Sequence, residues 1–343
     1  MIEDRPANFH PEIAERNFGV ESLYSTCYSD LNSIDSDLDL TSEIRRMCVE
    51  KRAIILAHYY QEPMVQDLAD IVGDSLQLAI EAQKAKADVI LFCGVHFMAE
   101  TAKILNPNST VILPDMDAGC SLADRCQTEI FREWLKDYPE YVVISYINCS
   151  AGVKALSDII CTSSNAVSVV SSIPANKKIV FAPDRHLGRW VSRQTGRKMA
   201  LYPGFCIVHG LFTPRRTAAM KARYPEAKLL VHPECDLLIS AKADFVGSTA
   251  AMLNFVAKDT GNAFIIGTEP GIIYQMQKLR PDAEFLPIPV DSRSNCSICP
   301  YMRLNTVEKI YLALKDMKPE ITLDESLRQR ALKPMEAMLS LGC

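Results

Sequence analysis

The sequence predicts an α/β protein of three homologous αβα three-layer domains. Each has a parallel sheet, and the three stand around a pseudo-threefold axis with one site at their central junction. Three observations predict this. Short continuous apolar runs alternate with amphipathic stretches, the pattern of strands buried on both faces with helices between them. A unit of about 85–95 residues recurs three times. Finally, one cysteine follows a turn near the end of each unit: Cys120, Cys206 and Cys299, spaced 86 (from 120 to 206) and 93 (from 206 to 299) residues apart.

Length and composition agree with this plan. The chain has 343 residues, 48% of them hydrophobic, enough for several cores, and the net charge is −5. The absence of a basic stretch argues against a nucleic-acid partner. No apolar run is long enough to span a bilayer, and Met1-Ile-Glu-Asp-Arg-Pro6 lacks the basic and apolar regions of a signal peptide, so none is expected. Twelve cysteines in such a chain, several inside apolar runs such as Val89-Ile-Leu-Phe-Cys93, suit a reducing, cytoplasmic setting.

Residues 1–40 read as an acidic, loosely packed extension. A helix from Thr41 to Lys51 follows, capped by Thr41 or Ser42. The first domain, 41–125, opens with the strand around Ala53–His58. A short helix over Met64–Ile71 comes next, then a helix after Gly73-Asp74-Ser75. The strand Asp88–Cys93, a helix over Met98–Leu105 and a strand at Ser109–Pro114 lead to Cys120. The second domain, 126–210, repeats this: the strand Tyr141–Tyr146, a helix opened by Thr162-Ser163-Ser164-Asn165, the strand Lys178–Ala182, and a strand at Lys198–Tyr202 feeding Cys206. The third, 211–304, has the strand Ala227–Val231, a helix opened by Gly247-Ser248-Thr249, the strand Ala263–Gly267, and a strand from Glu284 leading to Cys299. Helices over 305–317 and 325–341 return to the first domain. Each unit thus shows three strands.

In parallel sheets ligands gather at the carboxyl ends of strands. His58, Tyr60, Tyr146, Asn148, His232 and Glu234 stand at such ends, and His209 lies beside Cys206. These types include acids and bases. Three thiolates brought together suit a soft metal centre, either zinc or a [4Fe–4S] cluster with one iron free of cysteine. Cys296 and Cys299 also form a Cys-x-x-Cys pair. Ser75, Ser163 and Ser248-Thr249 stand at helix starts, where N–H groups and the helix dipole favour anions. Each alone reads as an ordinary cap; three at equivalent places suit a polyanionic substrate. Asp184 and Arg185 are adjacent charges that can pair with each other, and Met98 reads as helix packing at the cavity wall.

Twelve motifs in register over residues 50–317 make the chain resemble the quinolinate synthase family, the A proteins of bacterial NAD synthesis. They are Ile-Leu-Ala-His58-Tyr-Tyr60-Gln, Val-Gln-Asp67, Gly-Asp74-Ser75, Phe-Met98-Ala-Glu-Thr-Ala-Lys-Ile-Leu-Asn-Pro, Ala-Gly-Cys120-Ser, Tyr146-Ile-Asn148, Thr-Ser163-Ser-Asn-Ala-Val, Ala-Pro-Asp184-Arg-His-Leu-Gly, Cys206-Ile-Val-His209, His232-Pro-Glu234, Gly-Ser248-Thr249 and Cys299-Pro-Tyr-Met. The resemblance implies three αβα domains and a [4Fe–4S] cluster on Cys120, Cys206 and Cys299. The reaction it implies condenses iminoaspartate with dihydroxyacetone phosphate to quinolinate, phosphate and water. It further implies substrate contacts from His58, Asp74, Ser75, Tyr146, Asn148, Ser163, His232, Glu234, Ser248 and Thr249. Proton transfer would fall to Tyr60, Tyr146, His209, His232 and Glu234, with Glu234 the base kept ionised by neighbouring cations. An aspartate oxidase or dehydrogenase would supply the imine. Some relatives carry a Cys-x-x-Cys-x-x-Cys run ending in the last ligand; here Arg293 takes the first of those places, leaving Cys296 and Cys299. A sensor module without turnover, or a plain hydro-lyase, would use the same three cysteines, but a sensor would not need Tyr60, Tyr146 and Glu234 around them.

Overall fold

The structure, a computed structural model, describes residues 31, 33–290 and 297–341. The chain divides into two units, 1–37 and 38–343. In the first, the described residues make a turn in which the Ile34 N–H donates to the Leu31 carbonyl. Most of the expected extension lies outside the described residues, as do Arg293 and Cys296.

The second unit holds three four-stranded parallel sheets. Helix α1 (Leu40–Lys51) leads into the first, which runs β1 (Ala53–His58), α2 (Pro63–Leu68), β2 (Ile71–Gly73), α3 (Ser75–Lys84), β3 (Val89–Cys93), α4 (His96–Leu105) and β4 (Thr110–Ile112). Short helices α5 (Ser121–Asp124) and α6 (Thr128–Leu135) connect to the second: β5 (Val142–Tyr146), α7 (Ala151–Lys154), β6 (Ile159–Cys161), α8 (Ala166–Ser172), β7 (Ile179–Ala182), α9 (Arg185–Thr195) and β8 (Met199–Leu201). Helices α10 (Ile207–Gly210) and α11 (Pro214–Arg223) precede the third: β9 (Lys228–Val231), α12 (Leu237–Ser240), β10 (Phe245–Val246), α13 (Thr249–Lys258), β11 (Ala263–Gly267), α14 (Ile272–Leu279) and β12 (Glu284–Pro287). Helices α15 (Val307–Asp316) and α16 (Glu325–Ser340) close the chain. The strand orders, β2-β1-β3-β4, β6-β5-β7-β8 and β10-β9-β11-β12, are one topology used three times.

Each sheet has four strands rather than the three expected. The extra ones, β2, β6 and β10, are two or three residues long, too short for a periodic pattern to announce them. What holds them is an aspartate placed just before each. Asp70, Asp158 and Asp244 accept the backbone N–H of Ile55, Val143 and Leu229 through a carboxylate oxygen, all at 2.7 Å and all across 15 residues. Each aspartate returns its own N–H to the carbonyl of that same partner at 2.9 Å. The two bonds lock the short edge strand to the start of the central strand.

These anchors fix the equivalence of the three sheets: 55, 143 and 229 correspond, with steps of 88 (from 55 to 143) and 86 (from 143 to 229) residues. The same steps align His58, Tyr146 and His232; Tyr60, Asn148 and Glu234; and Ser75, Ser163 and Thr249. The hydrogen-bond register thus sets Asn148 in the place of Tyr60 and Glu234, and of the Ser248-Thr249 start it is Thr249 that corresponds to Ser75 and Ser163.

Helix starts also differ from expectation. The cap of α1 is Asp39, whose carboxylate accepts both the Ser42 N–H at 3.2 Å and its hydroxyl at 2.7 Å. Neither Thr41 nor Ser42 caps it. Ser75 is the first helical residue of α3, and Asp74 is the cap. Ser163 lies before α8, which begins at Ala166. Thr162 and Asn165 close a turn there, the Asn165 side chain accepting the Thr162 N–H at 2.7 Å.

The cores are apolar and mostly local to each sheet, although Tyr59 and Val72 of the first pack into the core of the third. Ile55, Leu91 and Cys93 pack with Ile44 of α1 and Ile310 and Leu314 of α15. Phe131 is fully buried between Trp134 and Tyr202; truncating such a ring to alanine costs roughly 3–5 kcal/mol. Helix α15 packs on α1, whereas α16 packs mainly on α7 and β6 of the second sheet and also on α4 of the first. Among the described residues no helix is long and apolar enough to cross a membrane.

Candidate active site

One cavity collects the carboxyl ends of strands from all three sheets. Its free space is about 680 Å³, part of it open to solvent. Its wall includes His58, Tyr60, Asp74 and Ser75 from the first sheet and Tyr146, Asn148 and Ser163 from the second. Thr249, His232 and Glu234 come from the third, His209 from α10, and all three turn cysteines join them. Met98 is there too, as the sequence suggested. Of the residues singled out for the site, Ser248 alone is not part of the wall. Its hydroxyl caps α13 by accepting the Ala251 N–H at 3.2 Å and meets Ser164 Oγ at 2.8 Å. Ser164 also donates to Asp74 at 2.9 Å, so this seam ties the helix starts of the three sheets together.

The cysteines reach the cavity because each sits where a short helical turn begins. Cys120 and Cys206 are the caps of α5 and α10, and Cys299 precedes the 3₁₀ turn Met302–Leu304. The Cys206 N–H is held by Asp184 at 3.2 Å and that of Cys299 by Glu269 at 3.4 Å. Asp184 does not pair with Arg185. It is fully buried and caps α9 through the Leu187 N–H, while the Arg185 guanidinium lies 4.7 Å over the Phe205 ring.

A continuous hydrogen-bonded chain crosses the cavity wall. The Tyr60 hydroxyl meets Thr268 Oγ1 at 2.6 Å, and Thr268 meets His209 Nε2 at 2.9 Å. His209 Nδ1 lies 3.1 Å from Glu234 Oε2, and the Tyr146 hydroxyl donates to Glu234 Oε1 at 2.7 Å. The His232 ring stacks on His209 at 4.7 Å. His58 and His232 share a local device: Nδ1 accepts the N–H two residues on, from Tyr60 at 3.1 Å and from Glu234 at 3.4 Å. A neutral ring whose Nδ1 accepts carries its proton on Nε2.

The charge states follow from burial and neighbours. Burial holds His58 and His232 neutral, each pulled down to about 3. Burial raises Tyr60 and Tyr146 well above the usual phenol value; at Tyr146 the Glu234 charge adds to it, so both keep their protons. Burial would raise Glu234 too. The His209 ring, its hydrogen bond, His232 and the Tyr146 hydroxyl outweigh that and hold the carboxylate below its usual range. Protonated phenols thus stand with an ionised carboxylate on one hydrogen-bonded chain, the separation that acid–base work needs.

The donor set suits a metal. Cys206 Sγ, a ring nitrogen of His209 and a carboxylate oxygen of Glu234 lie within 4.8 Å of one another, a group that could hold an ion. Burial pushes the thiols up, Cys120 to about 12 and Cys299 to about 11. The Cys299 charge adds to this at Cys120, and those of Glu234, Cys120 and Cys299 at Cys206. Thiols that oppose each other's ionisation become stable thiolates beside a cation.

Sequence reasoning passed over Thr268, Glu269 and Lys154. Thr268 and Glu269 follow directly on β11, so the strand-end rule that found His58 and Glu234 could have found them. Glu269 is fully buried, accepts from Arg303 at 2.9 Å, and is raised by burial to about 7 against the opposing pull of Arg303. Lys154 gave no signal, since lysine in a short helix reads as surface.

Comparison with known proteins agrees with this geometry. The Quinolinate synthetase A protein (NadA) family matches residues 42–340. The chain is 56% identical over 304 residues to the quinolinate synthase of Synechocystis sp., covering 89% of this chain and 96% of that one. It is 55% identical over 304 residues to that of Microcystis aeruginosa (89% and 95%) and 54% identical over 308 residues to that of Chloroherpeton thalassium (90% and 96%). A match of this extent, spanning all three sheets and the shared cavity, places the chain in the Quinolinate synthetase A protein family.

Proposed function

We propose that this chain is a quinolinate synthase that condenses iminoaspartate with dihydroxyacetone phosphate, releasing phosphate and water, on the path to NAD. The observation that carries the reading is the meeting of Cys120, Cys206 and Cys299 with Tyr60, Tyr146 and Glu234 in one cavity. The three cysteines would hold a [4Fe–4S] cluster, which when bound supplies a Lewis-acidic iron for a substrate hydroxyl or carboxylate.

The remaining work falls to the side chains. Ser75, Ser163 and Thr249, equivalent hydroxyls on three sheets, bind the anionic groups of the substrates. Ser248 and Asp74 support them through Ser164. The Nε2–H groups of His58 and His232 and the Asn148 carboxamide orient carbonyl and carboxylate oxygens. Glu234, ionised, accepts protons from carbon during the keto–aldose shift and the condensation. Tyr146 and Tyr60 donate protons to departing or developing oxygens, and His209 with Thr268 refills Tyr60. A supplying aspartate oxidase or dehydrogenase fits the lability of an imine. The free thiols of Cys93, Cys126, Cys149, Cys161 and Cys235 support a reducing cytoplasm.

The test is an anaerobic one. Protein purified without oxygen should carry about four irons and four sulfides per chain, and should form quinolinate from the two substrates. Zinc in place of iron would favour a single ion on Cys206, His209 and Glu234 instead.

A further inference from the structure

Lys154 is an anomaly. It is fully buried, its ammonium meets no carboxylate within ion-pair distance among the described residues, and it faces the Phe97 ring at 5.4 Å. An ammonium in such a place is costly unless its donors are satisfied. They are satisfied by two backbone carbonyls, those of Ile147 at 3.0 Å and of Cys149. Those residues flank Asn148. The grip is therefore on the backbone immediately before and after one wall residue.

The surroundings make that grip firm. Helix α7, which carries Lys154 at its end, is capped by Ser150 and receives the Glu100 carboxylate at the Ala151 N–H, 2.9 Å away. Helix α16 packs over it. The Ile147 N–H is held by the Cys161 carbonyl at 2.8 Å, so the strand exit is pinned from β6 as well. The Asn148 side chain is the reverse case. Its Oδ1 is buried without a hydrogen-bond partner, although it belongs to the cavity wall. A carboxamide on a cavity wall whose hydrogen bonding is unmet is open to a ligand, its Nδ2–H groups donating to carboxylate oxygens such as those of quinolinate.

We propose that Lys154 is a positioning residue: by clamping the carbonyls of Ile147 and Cys149 it fixes the Asn148 carboxamide for the ligand in the cavity. The proposal rests on the reading of Asn148 as a substrate contact. Lys154 itself is fully enclosed and touches no substrate.

The test is a double-mutant cycle read by quinolinate binding, measured by calorimetry without oxygen on the iron-loaded protein. The four proteins are wild type, Asn148→Ala, Lys154→Met and the double variant. Methionine keeps the length of the stem and removes the donors. Lys154→Met is expected to weaken quinolinate binding about tenfold at unchanged iron content, and to weaken it no further on the Asn148→Ala background. A merely structural role would multiply the two losses, and that result overturns the proposal. So does wild-type affinity in Lys154→Met while Asn148→Ala is impaired, which leaves the Asn148 reading intact. Wild-type affinity in Asn148→Ala overturns that reading and the proposal with it. If Lys154→Met does not fold, Lys154→Gln, which keeps an N–H donor on a shorter stem, carries the same cycle, with partial coupling expected and independent losses overturning it.

Discussion

The division of acid from base turns on single side chains. Glu234 is an anion because His209, His232 and Tyr146 converge on it, and Tyr146 keeps its proton because it is buried against that anion. Glu234→Gln should therefore lower kcat by at least about 100-fold, with iron per chain unchanged. Normal turnover in that variant would remove Glu234 from the mechanism. A second expectation concerns a residue outside the cavity wall. His186 is buried, its Nδ1 without a hydrogen-bond partner and 4.0 Å from the Asp236 carboxylate; burial, with Arg185 beside it, outweighs that charge and lowers it from 6.5 to about 4. Between those values the unfolded chain binds a proton that the folded one does not, so stability must fall as pH drops through that window. Urea unfolding from pH 6.5 to 4 should show wild type losing stability faster than His186→Gln, by up to about 1 kcal/mol per pH unit. Equal slopes would place a proton on His186 in the fold.

At the level of the element, the sheets are held together by features that a periodic reading cannot see. The buried strands β1, β3, β5, β7 and β11 were legible because runs of several apolar residues, such as Val89–Cys93 and Ile179–Ala182, have few alternatives. The edge strands were not, since Phe245-Val246 carries no pattern. Their signal was the recurrent spacing of 15 between an aspartate and the start of a central strand, which needs a register before it can be noticed. Asp158→Ala should cost about 1 kcal/mol, the worth of one hydrogen bond, in urea unfolding, and leave iron and sulfide content as they are. A loss of iron instead would mean that the second sheet shifts as a body. Helix caps were half legible. Asp, Ser or Thr stood near many starts, though not those of α2, α4 and α10, and which of them capped depended on backbone geometry, as Asp39 and Asp74 show.

For the molecule as a whole, the cavity was more legible than the detail of any one sheet. Three cysteines on turns and three polar strand ends converge because parallel strands deliver their carboxyl ends to one side. The ligand set is open to a direct check. Cys206→Ala should lose most of its iron and the broad absorption band of a cluster. Cys126→Ala, Cys149→Ala and Cys235→Ala, whose thiols are buried away from the cavity wall, should keep both. Iron loss in any of the latter three would reassign the ligands. What sequence could not supply was Lys154 behind Asn148, a local turn that no periodicity announces, and the place of the strand-end Thr268 between Tyr60 and His209, which depends on which loops meet across the fold.

The 88- and 86-residue steps have a further consequence. At one set of equivalent places the three copies agree: Ser75, Ser163 and Thr249 all offer a hydroxyl. At two others they differ: His58, Tyr146 and His232, then Tyr60, Asn148 and Glu234. A ring of three separate, identical subunits could supply the first set but never the second, because one gene would write the same side chain three times. Joining the copies end to end lets each drift by itself. Fusion is thus what allows a nearly symmetric cradle to hold unlike reactants, with a different tool kept in each third of it.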